Sequence, residues 1–326
     1  MKALRLGTRG SALALWQART VAALVESSGT PVEIVVIRTA GDRLQQAPLS
    51  EVGGKRLFVK EIEDALLDGS IDLAVHSAKD MSAVLPDGLE IGAVLPREDP
   101  RDAVVLPAGR VAADFRSALT HLEGDPVIGT GSVRRVAQLA MILPRARFGG
   151  VRGNVDTRIA KLDNGDFDAL VLAAAGLRRL ELGARISALI PIESCVPAPG
   201  QGIVAVEIRS ADARARQALA ASSDPATAVC LTAERTVVTA LGGGCQLPLG
   251  AIALHGSGEL RMHGLVASLD GSRVIRREIA GSETDPAAVG LRLADALSEG
   301  GAMEILGALR DGMQAASGGQ RTPGHD

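Results

Sequence analysis

A chain of 326 residues is long enough for two or three domains, and 46% apolar with 22% charged residues describes an ordinary globular sequence, neither disordered nor collagen-like. The net charge of −3 offers no bulk attraction to nucleic acid. With no tyrosine, one tryptophan (Trp16) and four phenylalanines, the chain also lacks the aromatic platforms on which single-stranded bases stack.

Near the start, Lys2, Arg5 and Arg9 precede an apolar run of only five residues, 12–16, too short for a secretory signal. Residues 11–26 have helical spacing, and 32–37 (VEIVVI) reads as a buried strand. The polar stretch 42–55, with Pro48 and Gly53-Gly54, lacks periodicity and predicts a loop or lid with Lys55 and Lys60 at its base. Residues 57–67 and 155–162 predict helices; 71–75 (IDLAV), 126–129 (PVIG) and 168–173 (DALVLA) predict strands. This alternation implies a largely parallel sheet covered by helices, with ligands collecting at the carboxyl ends of the strands.

The last third reads differently. Asp224-Pro225 and Asp285-Pro286 each predict an N-cap followed by proline in the first helical turn. Between those helices, 250–253, 259–269 and 273–279 alternate like an antiparallel meander, which predicts a small α+β domain beginning near Ser222. The tail 317–326 (SGGQRTPGHD) is expected to be disordered. The uncharged stretch 236–254 is long enough to span a membrane, but Gly242-Gly243-Gly244, Pro248 and Gly250 break any helix there, so a soluble chain is expected.

Cys195, Cys230 and Cys245 form no CxxC, and the five histidines show no HxH or HxxxH spacing, so neither a disulfide framework nor a zinc site fits and no metal is expected. A reducing, cytoplasmic setting is the simplest expectation. Charge, however, is unevenly spread. Between Arg134 and Arg158 lie six arginines, no lysine and one acid, a local charge of +5 that leaves −8 for the rest. A solvated basic face is one reading. Bidentate binding of carboxylate or phosphate is the other, because arginine's planar fork suits it. The second is favoured by GTGSV (129–133), a glycine-rich turn that leaves a predicted strand and opens a helix just before Arg134-Arg135. Gly200-Gln201-Gly202-Ile203-Val204-Ala205 matches GxGxxA but enters a strand instead of leaving one, so a dinucleotide fingerprint is rejected.

His76, Lys79 and Asp80 follow a predicted strand, where an α/β protein keeps reactive groups; His76 is equally well read as a core histidine and Asp80 as a turn cap. Cys245 sits after three glycines that strip bulk from around its thiol, whereas Cys195 and Cys230 read as structural.

These pieces resemble one family, hydroxymethylbilane synthase or porphobilinogen deaminase. The matching stretches are GTRGSALALWQA (7–18), VGGKRLFVKEIEDALL (52–67), DLAVHSAKD (72–80), REDPRDA (97–103), GTGSVRR (129–135), RGNVDTRIAKLDNGDFDALVLAAAGLRRL (152–180), PGQG (199–202) and GGGCQLP (242–248). The resemblance implies a transferase of tetrapyrrole biosynthesis that joins four porphobilinogens with loss of ammonia on a dipyrromethane primer and releases hydroxymethylbilane by hydrolysis. It implies Cys245 as the thioether attachment point and Asp80 as the catalytic carboxylate. It further implies that Arg9, Ser11, Lys79, Thr130, Ser132, Arg134, Arg135, Arg152, Arg158 and Arg179 bind acidic side chains of cofactor and substrate, and that Lys55 and Phe58 belong to the lid. The implied fold is two periplasmic-binding-protein-like α/β domains flanking a cleft (1–99 with 201–221, and 100–200), plus a small C-terminal α+β domain (222–316) that carries the cysteine. A monomer is expected. The chain departs from the family at Met81-Ser82, where Val-Pro is usual, at Gly131, which replaces a serine, and at Glu51, where some members have lysine.

Overall fold

The computed structural model describes residues 2–39, 59–243 and 247–318. Cys245, the lid residues Lys55 and Phe58, and Glu51 lie outside the described residues. Strand β1 (Leu4–Thr8) leads into α1 (Ala12–Ser27), which Ser11 caps by accepting from the Ala14 N–H, and then into β2 (Val32–Val36). In α1, Ala14, Gln17, Ala18, Val21, Ala22 and Val25 recur at helical spacing, and that face packs on the sheet. Helix α2 (Lys60–Leu67) precedes β3 (Leu73–Ser77), a single 3₁₀ turn follows over Ala78–Asp80, and then comes β4 (Leu89–Val94).

The chain next builds a second layer from β5 (Asp102–Val105), α3 (Phe115–Thr120), β6 (Val127–Gly129), α4 (Val133–Leu139), β7 (Arg147–Gly149), α5 (Val155–Asp163), β8 (Ala169–Ala173), α6 (Ala174–Arg179) and β9 (Ala188–Leu189). It then returns to the first layer with β10 (Val204–Arg209) and α7 (Ala213–Leu219). The first sheet runs β2-β1-β3-β10-β4 and the second β7-β6-β8-β5-β9, so the chain builds two α/β lobes of similar strand order. Both sheets are largely parallel with one reversed strand. β10 is antiparallel to β3 and β4, and β5 to β8 and β9. The reversed strand is in each case the first one laid down after the chain changes lobe.

The last domain contains α8 (Pro225–Ala240), the antiparallel meander β11 (Leu249–Gly256), β12 (Glu259–Ala267) and β13 (Val274–Ser282), then α9 (Pro286–Glu299) and α10 (Ala302–Gly318). Asp224 and Asp285 cap α8 and α9 through their side chains, with Pro225 and Pro286 in the first turn. Contrary to the expected onset of disorder at Ser317, α10 runs to Gly318, since Ala315 and Ala316 are strong helix formers. Each unit has its own buried core: Leu4, Leu6, Val21 and Leu73 in the first lobe, Ile128, Leu139 and Val171 in the second, and Met262, Leu293 and Leu297 in the third domain. Among the described residues no helix is long and apolar enough to cross a membrane.

Candidate active site

The predicted site residues gather at the carboxyl ends of parallel strands of both sheets. Arg9 and Ser11 follow β1, and Lys79 and Asp80 occupy the 3₁₀ turn after β3. Thr130 and Ser132 follow β6, Arg152 follows β7, and Arg179 ends the helix that leaves β8. Such strand ends are where open α/β sheets bind ligands.

Asp80 is exposed, while Lys79 beside it is half-buried. Burial pushes the Lys79 ammonium down to about 8; Asp80 and Asp102 oppose this, and the Arg135 and Arg134 charges add to it. Lys79 belongs to the first lobe and those arginines to the second, so the two lobes bring their cations together. Arg158 joins them. Its guanidinium donates through Nε to the Gly153 carbonyl at 2.8 Å, and its pKa is lowered by burial and by Arg135, with Asp80 in opposition.

Arg134 and Arg135 are almost fully buried and anchored internally, unlike the solvated face that a basic run can form. Arg134 Nη1 donates to Asp102 Oδ2 at 2.8 Å and to the Val196 carbonyl at 2.7 Å. Arg135 donates through Nε to Asp102 Oδ1 at 3.0 Å and through Nη1 to the Val171 carbonyl at 2.9 Å. Gln201 Nε2 adds a bond to Asp102 Oδ1 at 2.9 Å and another to the Pro100 carbonyl at 2.6 Å. Burial by itself would raise the Asp102 pKa, but the charges and hydrogen bonds of Arg134 and Arg135 outweigh it and hold the carboxyl well below the usual range. Asp102 thereby fixes the two arginines at the start of α4 and ties them to the chain's return crossing at Gln201.

Sequence reasoning assigned Asp102 no role, although a signal is present: an acid inside a wholly buried apolar strand requires a cationic partner. Glu207 carries the same signal in β10. It lies 3.1 Å from His76 Nε2 with both side chains buried, so His76 is a core residue. Ser132 is the N-cap of α4 and accepts from the Arg135 N–H at 3.4 Å, and Ser11 likewise caps α1. Arg145, by contrast, makes an exposed pair with Asp125 at 2.9 Å. Met81, one of the departures, is buried beside Val94, Ile203 and Leu231 and fills core space behind the 3₁₀ turn.

The two described cysteines are buried thiols. Burial, aided by Asp102, pushes the Cys195 thiol up to about 12, and burial, aided by Glu234, pushes Cys230 up to about 11.

Two α/β lobes thus bring buried and half-buried cations within electrostatic reach of one exposed carboxylate, Asp80, a constellation of the kind found in enzymes that act on polyanions. Residues 4–217 match the family described as "Porphobilinogen deaminase, dipyromethane cofactor binding domain", and residues 228–299 match its C-terminal domain. The porphobilinogen deaminases of Syntrophotalea carbinolica and Thiobacillus denitrificans are each 47% identical to this chain, over 309 and 311 residues. Those alignments cover 94% and 95% of this chain, and 96% and 99% of the relatives. The chain belongs to the porphobilinogen deaminase family and is a transferase of tetrapyrrole biosynthesis that uses a dipyrromethane cofactor. Among solved structures, substrate-binding domain 2 of Lactococcus lactis GlnP aligns with a TM-score of 0.42 and 12% identity over 68% of this chain and 89% of that one. The fold assignment rests on the strand order itself.

The residues present fit the cofactor. Arg134 Nε is buried with no hydrogen-bond partner among the described residues, and the Arg135 charge lowers the proton affinity of both Lys79 and Arg158. Carboxylates carried on a pyrrole pair relieve that repulsion. A neutral ligand would not.

Proposed function

We propose that this cleft performs the head-to-tail joining of porphobilinogen units, with Asp80 as the catalytic carboxylate and Cys245 as the attachment point. The observation that supports this reading best is the placement of Asp80. It is an exposed carboxylate on the 3₁₀ turn at the end of β3, and Lys79 and Arg158 both sense its charge.

When bound, dipyrromethane supplies the pyrrole terminus on which substrate units are added. The residues proposed to hold its acetate and propionate groups, and those of the substrate, are Arg9, Ser11, Lys79, Thr130, Ser132, Arg134, Arg135, Arg152, Arg158 and Arg179. Each charge-assisted bond contributes about 1.5–3 kcal/mol. Asp80 accepts a hydrogen bond from a pyrrole N–H, stabilises positive charge as it develops on that nitrogen, and moves a proton as ammonia leaves. The surrounding cations orient the rings by their carboxylates, which leaves the exposed Asp80 carboxylate to the reacting centre. Lys55 and Phe58 belong to the segment proposed to cover the cleft.

The domain limits we assign are 1–99 with 201–221, 100–200 and 222–316. The reading extends to a cytoplasmic monomer that uses porphobilinogen as its small-molecule partner.

The test is Asp80→Ala, loaded with cofactor by incubation with hydroxymethylbilane. Because Asp80 is exposed, melting stays unchanged while ammonia release falls by about 100-fold or more. Normal ammonia release would refute the role.

A further inference from the structure

Arg179 and Trp16 meet across the two lobes. Arg179 ends α6 in the second lobe, Trp16 sits in the first turns of α1 in the first, and the guanidinium carbon stands 5.5 Å from the centroid of the indole ring. A cation at that distance is attracted by the ring quadrupole. The helices also touch beside this contact, since a Cβ built on Gly176 would lie 3.7 Å from Leu13 Cδ2. Arg179 Nη2 donates to the Gly202 carbonyl at 2.6 Å, on the segment that returns the chain to the first lobe. Two fixed surfaces therefore hold this guanidinium: an aromatic face and a backbone carbonyl. Glu98, the acid whose charge reaches it, is itself paired with Arg178 at 3.0 Å. Trp16, the chain's single tryptophan, is 37% exposed, so the ring is reachable from solvent.

We propose that Trp16 is the positioning residue for Arg179, its ring fixing the guanidinium plane across the cleft so that the outward N–H edge is presented to a pyrrole carboxylate. A long arginine side chain loses rotamer freedom when it captures a carboxylate, and a ring that holds it beforehand removes part of that cost. The inference rests on the reading above that Arg179 binds a carboxylate of cofactor or substrate.

Trp16 also supplies the readout. With no tyrosine in the chain, intrinsic emission above 300 nm comes from this one side chain. The experiment uses cofactor-loaded Trp16→Phe, Trp16→Ala, Arg179→Ala and the double Ala variant. Trp16→Ala raises KM for porphobilinogen by about 3- to 10-fold, more than it lowers kcat, as expected for one lost cation–π contact. Trp16→Phe, which keeps an aromatic face, recovers most of that loss. On the Arg179→Ala background, Trp16→Ala adds less than about twofold, because the group it positions is gone.

In the resting enzyme, Arg179→Ala changes the Trp16 emission. An unchanged emission overturns the contact while leaving the carboxylate reading of Arg179 intact. A changed emission with unchanged KM in Arg179→Ala overturns that reading, and the positioning role with it. Independent, multiplying effects of the two Ala substitutions overturn the positioning role alone, as does a Phe variant no better than Ala. If Trp16→Ala does not fold, Trp16→Phe and the emission of Arg179→Ala still decide the matter.

Discussion

Gly200 lies directly against the peptide that leads into Lys79. A Cβ built on Gly200 would stand 2.9 Å from the Lys79 nitrogen and 2.9 Å from the Ala78 carbonyl carbon, and Gly200 adopts φ +74°. Its N–H donates to Glu234 Oε2 at 2.6 Å, so the third domain holds the loop that presses on the turn carrying Asp80. The return crossing is thus packed against the reacting end of β3, and the domain expected to carry Cys245 grips that crossing.

Gly200→Ala is accordingly predicted to be costly for two reasons, positive φ and overlap with backbone atoms that cannot rotate away. Stability falls by about 1–3 kcal/mol, and kcat falls about tenfold because the Lys79–Asp80 turn shifts. Denaturant titration and steady-state kinetics check this. Wild-type kcat in a folded Gly200→Ala protein would contradict the coupling of loop and turn.

Asp102→Asn removes the buried anion between Arg134 and Arg135 while keeping its shape. Two buried cations lose their partner, and stability at pH 7 drops by about 3–5 kcal/mol. The pH dependence follows from the lowered Asp102 pKa. The stabilisation is fully present above the unfolded-state pKa of about 3.9 and disappears as pH falls through the depressed native value. The gap between wild type and Asp102→Asn in denaturant titrations should therefore be constant from pH 5 to 7 and shrink below about pH 4. A gap that stays constant down to pH 2 would show that Asp102 does not carry its charge into the fold.

Lys79 titrates near 8 in the resting protein, below its ordinary 10.5, because burial and the neighbouring arginines disfavour the ammonium. At neutral pH its charged form costs stability, where the charged form of Asp102 adds it, yet the slope with pH has the same sign. Between about pH 8 and 10.5 the unfolded chain binds the extra proton, so this group adds stability as pH rises through that window. Carboxylate binding needs the ammonium. KM for porphobilinogen is predicted to rise above about pH 8 while kcat changes less, and Lys79→Arg should move that rise to higher pH. A KM flat from pH 7 to 9.5 would contradict an ionised Lys79 as a binding group.

Much of this architecture is legible in the sequence, because its signals are local. The caps at Asp224 and Asp285, the helical spacing of α1 and the alternation of the meander each depend on residues within a few positions of one another. The proposed site residues come from a different source: some, such as Arg9, Lys79, Asp80 and Thr130, sit in turns at strand ends, and the resemblance names the roles proposed for them. What escaped reading is long-range. Asp102 meets Arg134, Arg135 and Gln201 across 32, 33 and 99 residues, and no spacing rule joins them. The reversed directions of β5 and β10 are set by where the chain changes lobe, which strand propensity does not encode. The contact of Trp16 with Arg179 exists only once two helices of different lobes are docked.

The central claim is that this chain carries a covalent pyrrole primer on Cys245 and extends it. Intact mass under denaturing conditions tests it most directly, on wild type and Cys245→Ala, before and after porphobilinogen is added. The account predicts a wild-type chain heavier than its sequence by two linked pyrrole units, growing in single-pyrrole steps, and a Cys245→Ala chain at its sequence mass throughout. A wild-type mass that stays at the bare sequence value after reconstitution with hydroxymethylbilane, or a pyrrole adduct that persists in Cys245→Ala, would contradict it.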